Sequence, residues 1–510
     1  MLYPSKKEFL ELAQRGNLVP VVRKFFADFE TPLSVYQKIR RQGESFLFES
    51  VEGGEHVGRF SFVGHRPRAV IRQWDHQVEI QQLGQPPQRF EIAPHRPSEA
   101  HTVRDALEAV ARLMGQFRQV EFPGLPRFTG GALGYIGYEF IHDIEPVVPR
   151  PPHDELHTPI VYLLITDELI VFDRVEQSMS LLVNAPIQPG LSPEQAYDQA
   201  VERLDRLAEQ IQRPYPTSLT DLPGKVPDLP FRSNMTREEF LQKVRRAKEY
   251  IAAGDIIQVV GSQRFEAEFE GDPINVYRAV RTINPSPYMF LLELEGMALV
   301  GSSPEIHVRC ENRVAEIRPI AGTRPRGSTP EQDRRLEEEL RTDPKERAEH
   351  VMLVDLARND LGRVCRIGSV KVRDLMIVER YSHVMHLVSH VVGELDKKYN
   401  AFDLMRATFP AGTLTGAPKI RAMQIISELE GTYRGPYGGC VGYFAFNGNL
   451  DSCITIRTAL LKDGRAYVQA GGGWVADSVP ESEYAETVNK AKAMLKAVSM
   501  AAHGAFPQKE

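Results

Sequence analysis

Between Cys440 and Gly473 the chain carries two dipeptides, Asn447–Gly448 and Asp463–Gly464, each flanked by alternating apolar residues. A two-residue hairpin turn needs positive φ at its centre, and Asn-Gly and Asp-Gly accept it at little steric cost. This stretch is therefore committed to antiparallel pairing. CVGYFAFNGNLDSCITIRTALLKDGRAYVQAGGG predicts a three-stranded meander, and EIHVRCENRVAEIRPIAGTR predicts a hairpin turning at Glu311–Asn312. PIVYLLITDELIVFDR predicts another around Asp167 and Glu168, followed by a strand at SMSLLVNA. The repeated strand–helix alternation of a parallel sheet is absent, and so is any short internal repeat. The expected fold is α+β: large antiparallel β-sheets forming a sandwich with helices packed outside, in two lobes.

The chain has 510 residues, enough for two lobes with a large core. Residues 1–213 read as an N-terminal lobe, with helices over 34–41 and 103–117. An amphipathic helix from Ser192–Pro193 to Gln212 closes it. RPYPTSLTDLPGKVPDLPF is proline-rich and aperiodic, which marks 214–231 as a linker. A second lobe spans 232–503, and 504–510 form a tail. Net charge is -6 with the signs mixed, so no nucleic-acid surface is expected. No run of 18 apolar residues and no secretory h-region occur, so neither a membrane span nor export is expected and the cytoplasm is the predicted compartment. Cys310, Cys365, Cys440 and Cys453 lack metal spacing and read as reduced, buried thiols.

The chemistry gathers in the second lobe. Glu346 and Glu349 sit in DPKERAEHVMLVDLARNDL, and Glu483 and Glu486 in DSVPESEYAETVNKAKAML. Each pair is three residues apart on a predicted helix, hence on one face. Asp343 caps the first helix, and Ser478 with Pro480 and Glu481 reads as a second capped start. Two such helices face to face would offer four hard oxygen donors, which suits Mg²⁺ better than Zn²⁺. The plainer alternative is that Glu346 serves its helix start and Glu486 pairs with Lys490. Arg457 falls in the middle of the predicted strand CITIRTALL, away from its apolar side, where it needs an anionic partner. That partner is a structural carboxylate or a bound one. Gly471, Gly472 and Gly473 end the next strand, where glycines mark a close approach and their amides could donate to an anion. Tyr437 lies in the similar stretch GPYGG. RYSHVMHLVSHVVGEL reads as a strand with His386 and His390 on one face. His386 is either a core histidine or a general base. A zinc reading with His383 lacks the helical HExxH form. PAGTLTGAPK, residues 410–419, fails the spacing of a phosphate loop.

Taken together, SSPEIHVR, PIAGTRPRG, ERAEHVMLVDLARNDLGRV, YSHVMHLVSHVVGEL, PAGTLTGAPK, GPYGGCVGYF, IRTA, QAGGG and DSVPESEYAETVNKA resemble the chorismate-utilising enzymes, most closely component I of anthranilate synthase. The match runs in order through nearly the whole second lobe. Aminodeoxychorismate synthases of this family carry a lysine in PIKGT, whereas this chain has Ala321. The resemblance implies conversion of chorismate and ammonia to anthranilate and pyruvate in tryptophan biosynthesis, with Mg²⁺ held by Glu346, Glu349, Glu483 and Glu486. It implies substrate contacts from Ala321, Gly322, Thr323, Tyr437, Arg457, Gly471, Gly472, Gly473 and Lys490. On this reading Thr413 would hydrogen-bond near the ring carboxylate, Glu305 is the expected acid for the leaving hydroxyl, and His386 is the candidate base for the C2 proton. FLFES and NPSPYMF are similar to the feedback segments, placing Ser50, Pro287, Tyr288 and Met289 against L-tryptophan. No glutaminase nucleophile stands out, and Cys440 lies within a predicted strand, so a glutamine amidotransferase subunit and a hetero-oligomer are implied.

Overall fold

The computed structural model describes residues 2–40, 43–50, 58–93, 101–215, 226–381 and 384–503. Two sheets of 13 strands each form a sandwich with helices on its outer faces. Among the described residues these strands pair antiparallel, except for Gln88–Ile92 with Thr102–Val103, and two isolated bridges, Leu18 to Gln119 and His153 to Thr432, are parallel. The inner core takes Phe46, Phe62, Leu292 and Leu460 from one sheet and Leu133, Tyr135, Leu164 and Tyr443 from the other. The first sheet's outer face is covered by helices Lys6–Leu12, Pro32–Ile39, Pro193–Gln212, Pro273–Ile283 and Pro480–Ala502. The second sheet is covered chiefly by Ala106–Met114, Pro344–Gly362 and Ala401–Thr408, while Lys419–Glu430 packs on Gln258–Glu268 of the first. These helices bury one apolar stripe each, and two such outer cores on a sandwich give the layers an α+β chain of this length needs.

Both sheets run continuously through the first and second halves of the chain. In one, Ser45–Glu49 pairs with Tyr288–Leu294, placing Met289 opposite Glu49. In the other, Gly131–Ile136 pairs with Cys440–Ala445. The boundary near residue 213 therefore separates no sheet from another. Most of the expected linker, His383 and the 504–510 tail lie outside the described residues.

The hairpin turns form where Asn447–Gly448 and Asp463–Gly464 predict them, the latter with φ of 51° and 71°. The three-stranded meander does not. Cys440–Ala445 and Leu450–Ile454 pair in one sheet, while Thr458–Lys462 and Arg465–Trp474 pair in the other. The chain crosses the sandwich at Thr455–Arg457, and Arg457 has φ +51°. Arg457 is thus at a crossing, not in the middle of a strand. The 160–173 stretch is corrected in the same way. Val161–Thr166 and Glu168–Asp173 belong to opposite sheets, and Asp167 at the corner is held by Arg68 and Arg203 at 2.8 and 3.1 Å. A corner of this kind keeps the apolar alternation of a hairpin, so periodicity cannot separate the two. The predicted turn at Glu311–Asn312 lies one residue on, at Asn312 and Arg313, both with positive φ. The helices expected at 34–41 and 103–117 are Pro32–Ile39, capped by Thr31, and Ala106–Met114, capped by Asp105.

Candidate active site

The acidic pairs are brought to the site by two helices. In Pro344–Gly362, Asp343 accepts from the amides of Lys345 and Glu346 at 2.9 and 3.2 Å, a cap of about 1 kcal/mol. Pro480–Ala502 starts differently from expectation: Val479 is the N-cap, and the Ser478 hydroxyl accepts instead from Val475 N–H at 3.0 Å. The proline at the first position carries that start, since it needs no amide partner. A Cβ at Gly472 would stand 3.2 Å from Glu483 Oε2 and 3.6 Å from Glu486 Oε1. One at Gly322, where φ is +70°, would stand 3.0 Å from Glu346 Oε2. Each glycine lets its strand press against one acidic pair.

Electrostatics link the pairs. Burial raises the Glu349 carboxyl above its ordinary range, and the charges of Glu346 and Glu486 add to that, against Lys490 and Lys345. Burial likewise raises Glu483, with Glu486 adding to it. Glu346 pairs with Arg324 at 3.0 Å and Glu486 with Lys490 at 2.6 Å, so both plainer partnerships exist. Among the described residues Glu349 and Glu483 make no ion pair, and Glu483 Oε2 is buried without a hydrogen-bond partner. Among the same residues, no three His, Cys, Asp or Glu side chains stand close enough together to hold a metal ion. The four carboxylates thus do not converge on one point as expected, though Glu349, Glu483 and the orphaned oxygen are hard donors of the chemistry a divalent cation takes.

Beside the carboxylates lies a cationic corner. The Arg457 side chain is half-buried, which disfavours its charge, and it faces Tyr437, Glu486 and Glu305 without forming an ion pair among the described residues. A guanidinium drawn partly out of water without a partner is a group that an anion would satisfy. The Arg457 carbonyl accepts from Ser302 N–H at 3.1 Å, which fixes the crossing. Tyr437 is buried, and its hydroxyl reaches so near Gly471 that a Cβ there would be 2.6 Å away. Lys490 donates to Gly471 O at 3.1 Å. Glu305 and Thr413 line one cavity. Burial pushes Glu305 up to about 8, against the opposing pull of Thr413, Lys490 and Arg457.

His386 lies on Val384–Glu394, opposite Thr323 in the neighbouring strand. Its Nδ1 is 3.1 Å from Gly322 O and 3.0 Å from Thr323 Oγ1. A carbonyl only accepts, so Nδ1 carries the proton and Nε2 keeps its lone pair. Burial lowers the imidazole's pKa, which leaves it neutral at pH 7. His390 on the same strand is engaged elsewhere, by Glu316 at 3.1 Å. Ala321 is buried in the adjoining strand and offers no amine. Lys419 is 3.0 Å from Asp360, so the 410–419 segment presents no free lysine. Sequence reasoning missed Arg324 and Gln258, whose amide touches the space beside Gly473. Arg324 had a signal in the basic run after PIAGT, while Gln258 had none. All four cysteines are buried and free, and Cys440 packs against Met405 in the core.

A second cavity brings together Ser50, Pro287, Tyr288 and Met289, with Phe48, Phe60, Phe62 and Tyr443 as its aromatic wall. About 490 Å³ of its space is free of atoms, part of it open to solvent. Tyr288 donates to Asp451 at 2.9 Å, and among the described residues the buried Ser50 hydroxyl has no partner.

The sequence profile of the chorismate binding enzymes matches residues 45–496, and the chain belongs to that family. Within it the chain stands with anthranilate synthase component I. It is 46% identical to anthranilate synthase component 1 of Acetivibrio thermocellus, over 98% of this chain and 99% of that one. The component 1 of Pseudomonas putida is 48% identical over the same shares. The crystal structure of anthranilate synthase component I from Streptococcus pneumoniae is similar with a TM-score of 0.73 at 34% identity, covering 93% of this chain and 99% of that one. The menaquinone-specific isochorismate synthase of Escherichia coli, at 18% identity and a TM-score of 0.65 over 97% of this chain and 98% of that one, shares the fold. Among the described residues no helix is long and apolar enough to cross a membrane.

Proposed function

We propose that this chain makes anthranilate and pyruvate from chorismate and ammonia, with a glutaminase partner supplying the ammonia and tryptophan inhibiting. The observation that carries the reading is the uncompensated Arg457 guanidinium beside Tyr437 and Gly471, facing a buried Glu305. Chorismate bears two carboxylates. Arg457 and Tyr437 hold the enolpyruvyl one, with the Gly471–Gly473 backbone alongside. The ring carboxylate falls to Thr413 and the glutamate side. Glu346, Glu349, Glu483 and Glu486 are the residues that would hold Mg²⁺, which would supply a countercharge and a Lewis acid for that carboxylate.

Protonated Glu305 gives its proton to the C4 hydroxyl, which leaves as water while ammonia bonds to C2. The neutral His386 then takes the C2 proton at Nε2. The electron pair forms C2=C3 and aromatises the ring as the C3–O bond breaks, and the enolpyruvate released takes up a proton at its methylene carbon to become pyruvate. Ala321 removes any covalent amine from this site, which separates the reading from aminodeoxychorismate formation. The cavity of Ser50 and Tyr288–Met289 combines an aromatic wall with buried polar groups, the chemistry that receives an aromatic amino acid. The test is the purified chain with chorismate, ammonium and Mg²⁺ at alkaline pH, followed by anthranilate fluorescence. Anthranilate that disappears on omitting Mg²⁺ supports the reading. Accumulation of aminodeoxychorismate alone overturns it.

A further inference from the structure

Arg434 and Glu430 form a buried ion pair that touches three pieces of the substrate site while standing behind it. Arg434 is 1% exposed, and its guanidinium donates four hydrogen bonds. Nε and Nη2 donate to the two oxygens of Glu430 at 2.8 and 2.6 Å. Nη1 donates to Leu414 O at 2.9 Å, and Nη2 to Val260 O at 2.7 Å. Its carbon lies 4.6 Å from the Tyr138 ring centre and 5.6 Å from that of Tyr437. Glu430 Oε1 accepts in addition from the amide and hydroxyl of Ser262, at 2.9 and 2.8 Å. Below, Glu139 holds the amides of Arg434 and Gly435 at 2.7 and 3.0 Å.

Each contact leads to a residue named above. Leu414 follows Thr413 in the chain. Val260 and Ser262 stand opposite Gly473 and Gly471 in the sheet. Tyr437 stacks over the guanidinium itself. We propose that the Arg434–Glu430 pair is a positioning device for chorismate, fixing Thr413, Tyr437 and the Gly471–Gly473 strand at one mutual spacing. The proposal rests on the chorismate reading of the site and goes beyond it in naming residues that never touch the substrate.

A buried ion pair is a poor way to gain stability, because apolar residues of similar volume do as well or better. What a planar fork adds is direction: it bonds several backbone carbonyls at fixed angles. Neither a lysine nor an apolar side chain can reproduce that set. A displacement of the three elements weakens the grip on the substrate carboxylate before it affects ammonia, which has no carboxylate to be held.

The experiment compares wild type with Glu430→Gln and Arg434→Lys in the full chain with ammonium as nitrogen source. It measures KM for chorismate, KM for ammonium, chorismate affinity by calorimetry, and thermal unfolding. The expected result is a rise of roughly tenfold or more in KM and Kd for chorismate with an unmoved KM for ammonium. The larger effect belongs to Arg434→Lys. Loss of folded fraction and kcat with chorismate KM and Kd unmoved assigns the pair to the fold alone and overturns the proposal. If Arg434→Lys fails to fold, the chorismate Kd of Glu430→Gln decides. A wild-type chain that makes no anthranilate overturns the underlying reading instead.

Discussion

Glu305 owes its chemistry to where the fold puts it. At pH 7 an ordinary glutamate is ionised and cannot donate. Burial raises this one to about 8, so at pH 7 it carries its proton. The sign of the pH dependence follows. Raising pH through about 8 removes the acid's proton and lowers turnover. The depressed His386 is already neutral at pH 7, so its acid limb lies below the ordinary imidazole range. Measured at a fixed concentration of free ammonia, kcat/KM is expected to fall on the alkaline side near 8. Glu305→Gln is expected to lower turnover by roughly 10²–10⁴ and to lose that limb. A Glu305→Gln variant with wild-type turnover and an unchanged limb removes the residue from this role. The types of residue in the site were legible in the sequence, because carboxylates, an arginine and glycines stand out in apolar surroundings. Their charge states were not, since burial and neighbours from distant segments set them. Arg324 and Lys490, which compensate Glu346 and Glu486, show the same limit.

At the scale of elements, local signals were read well and sheet membership was not. Asn447–Gly448 and Asp463–Gly464 turn as their chemistry requires, and Asp343 caps its helix. Nothing in the alternation of CITIRTALL shows that the chain leaves one sheet at Ile454 and joins the other at Thr458. That crossing matters because it delivers Arg457 to the end of both sheets instead of a strand face. The glycines opposite it have a similar positional meaning. Gly472 has no positive φ, so alanine there is tolerated by the backbone, but its Cβ would be 3.2 Å from Glu483 Oε2. Gly472→Ala is therefore expected to fold normally and to displace the Glu483–Glu486 carboxylates. The Mg²⁺ concentration for half-maximal turnover should rise about tenfold or more, a loss of at least roughly 1.4 kcal/mol of binding. Titration of Mg²⁺ at saturating chorismate checks it. An unmoved midpoint separates Gly472 from the metal side of the site.

The whole molecule joins the two cavities through shared strands, a relation no local pattern reveals because Ser45–Glu49 and Tyr288–Leu294 lie far apart in sequence. Tyr288 and Met289 line the second cavity and pair with Ser303 and Ser302 on the next strand. Ser302 N–H donates to Arg457 O at 3.1 Å, and Ser303 Oγ donates to Ile454 O at 2.7 Å. Tyr288 also binds Asp451, on the strand that runs on into the Arg457 crossing. An amino acid between Ser50 and Met289 thus touches the same strands that set Arg457 and Glu305. It inhibits if it binds better to the arrangement that holds chorismate less well, and linkage makes the effect reciprocal. Tryptophan is accordingly expected to raise KM for chorismate, and chorismate to weaken tryptophan binding by the same factor. Ser50→Phe fills the space beside the aromatic wall, and Met289→Thr opens it and adds a hydroxyl. Each should move the tryptophan inhibition midpoint upward by about tenfold or more, on the scale of a coupling of 1–3 kcal/mol. Tryptophan titrations of the wild type and both variants, with ammonia as nitrogen source and chorismate below its KM, supply the measurement. Identical midpoints in all three would place the inhibitor elsewhere, and a wild-type chain indifferent to millimolar tryptophan would remove feedback from the function. A raised midpoint in both, with chorismate still competing in the wild type, is the result that the shared strands require.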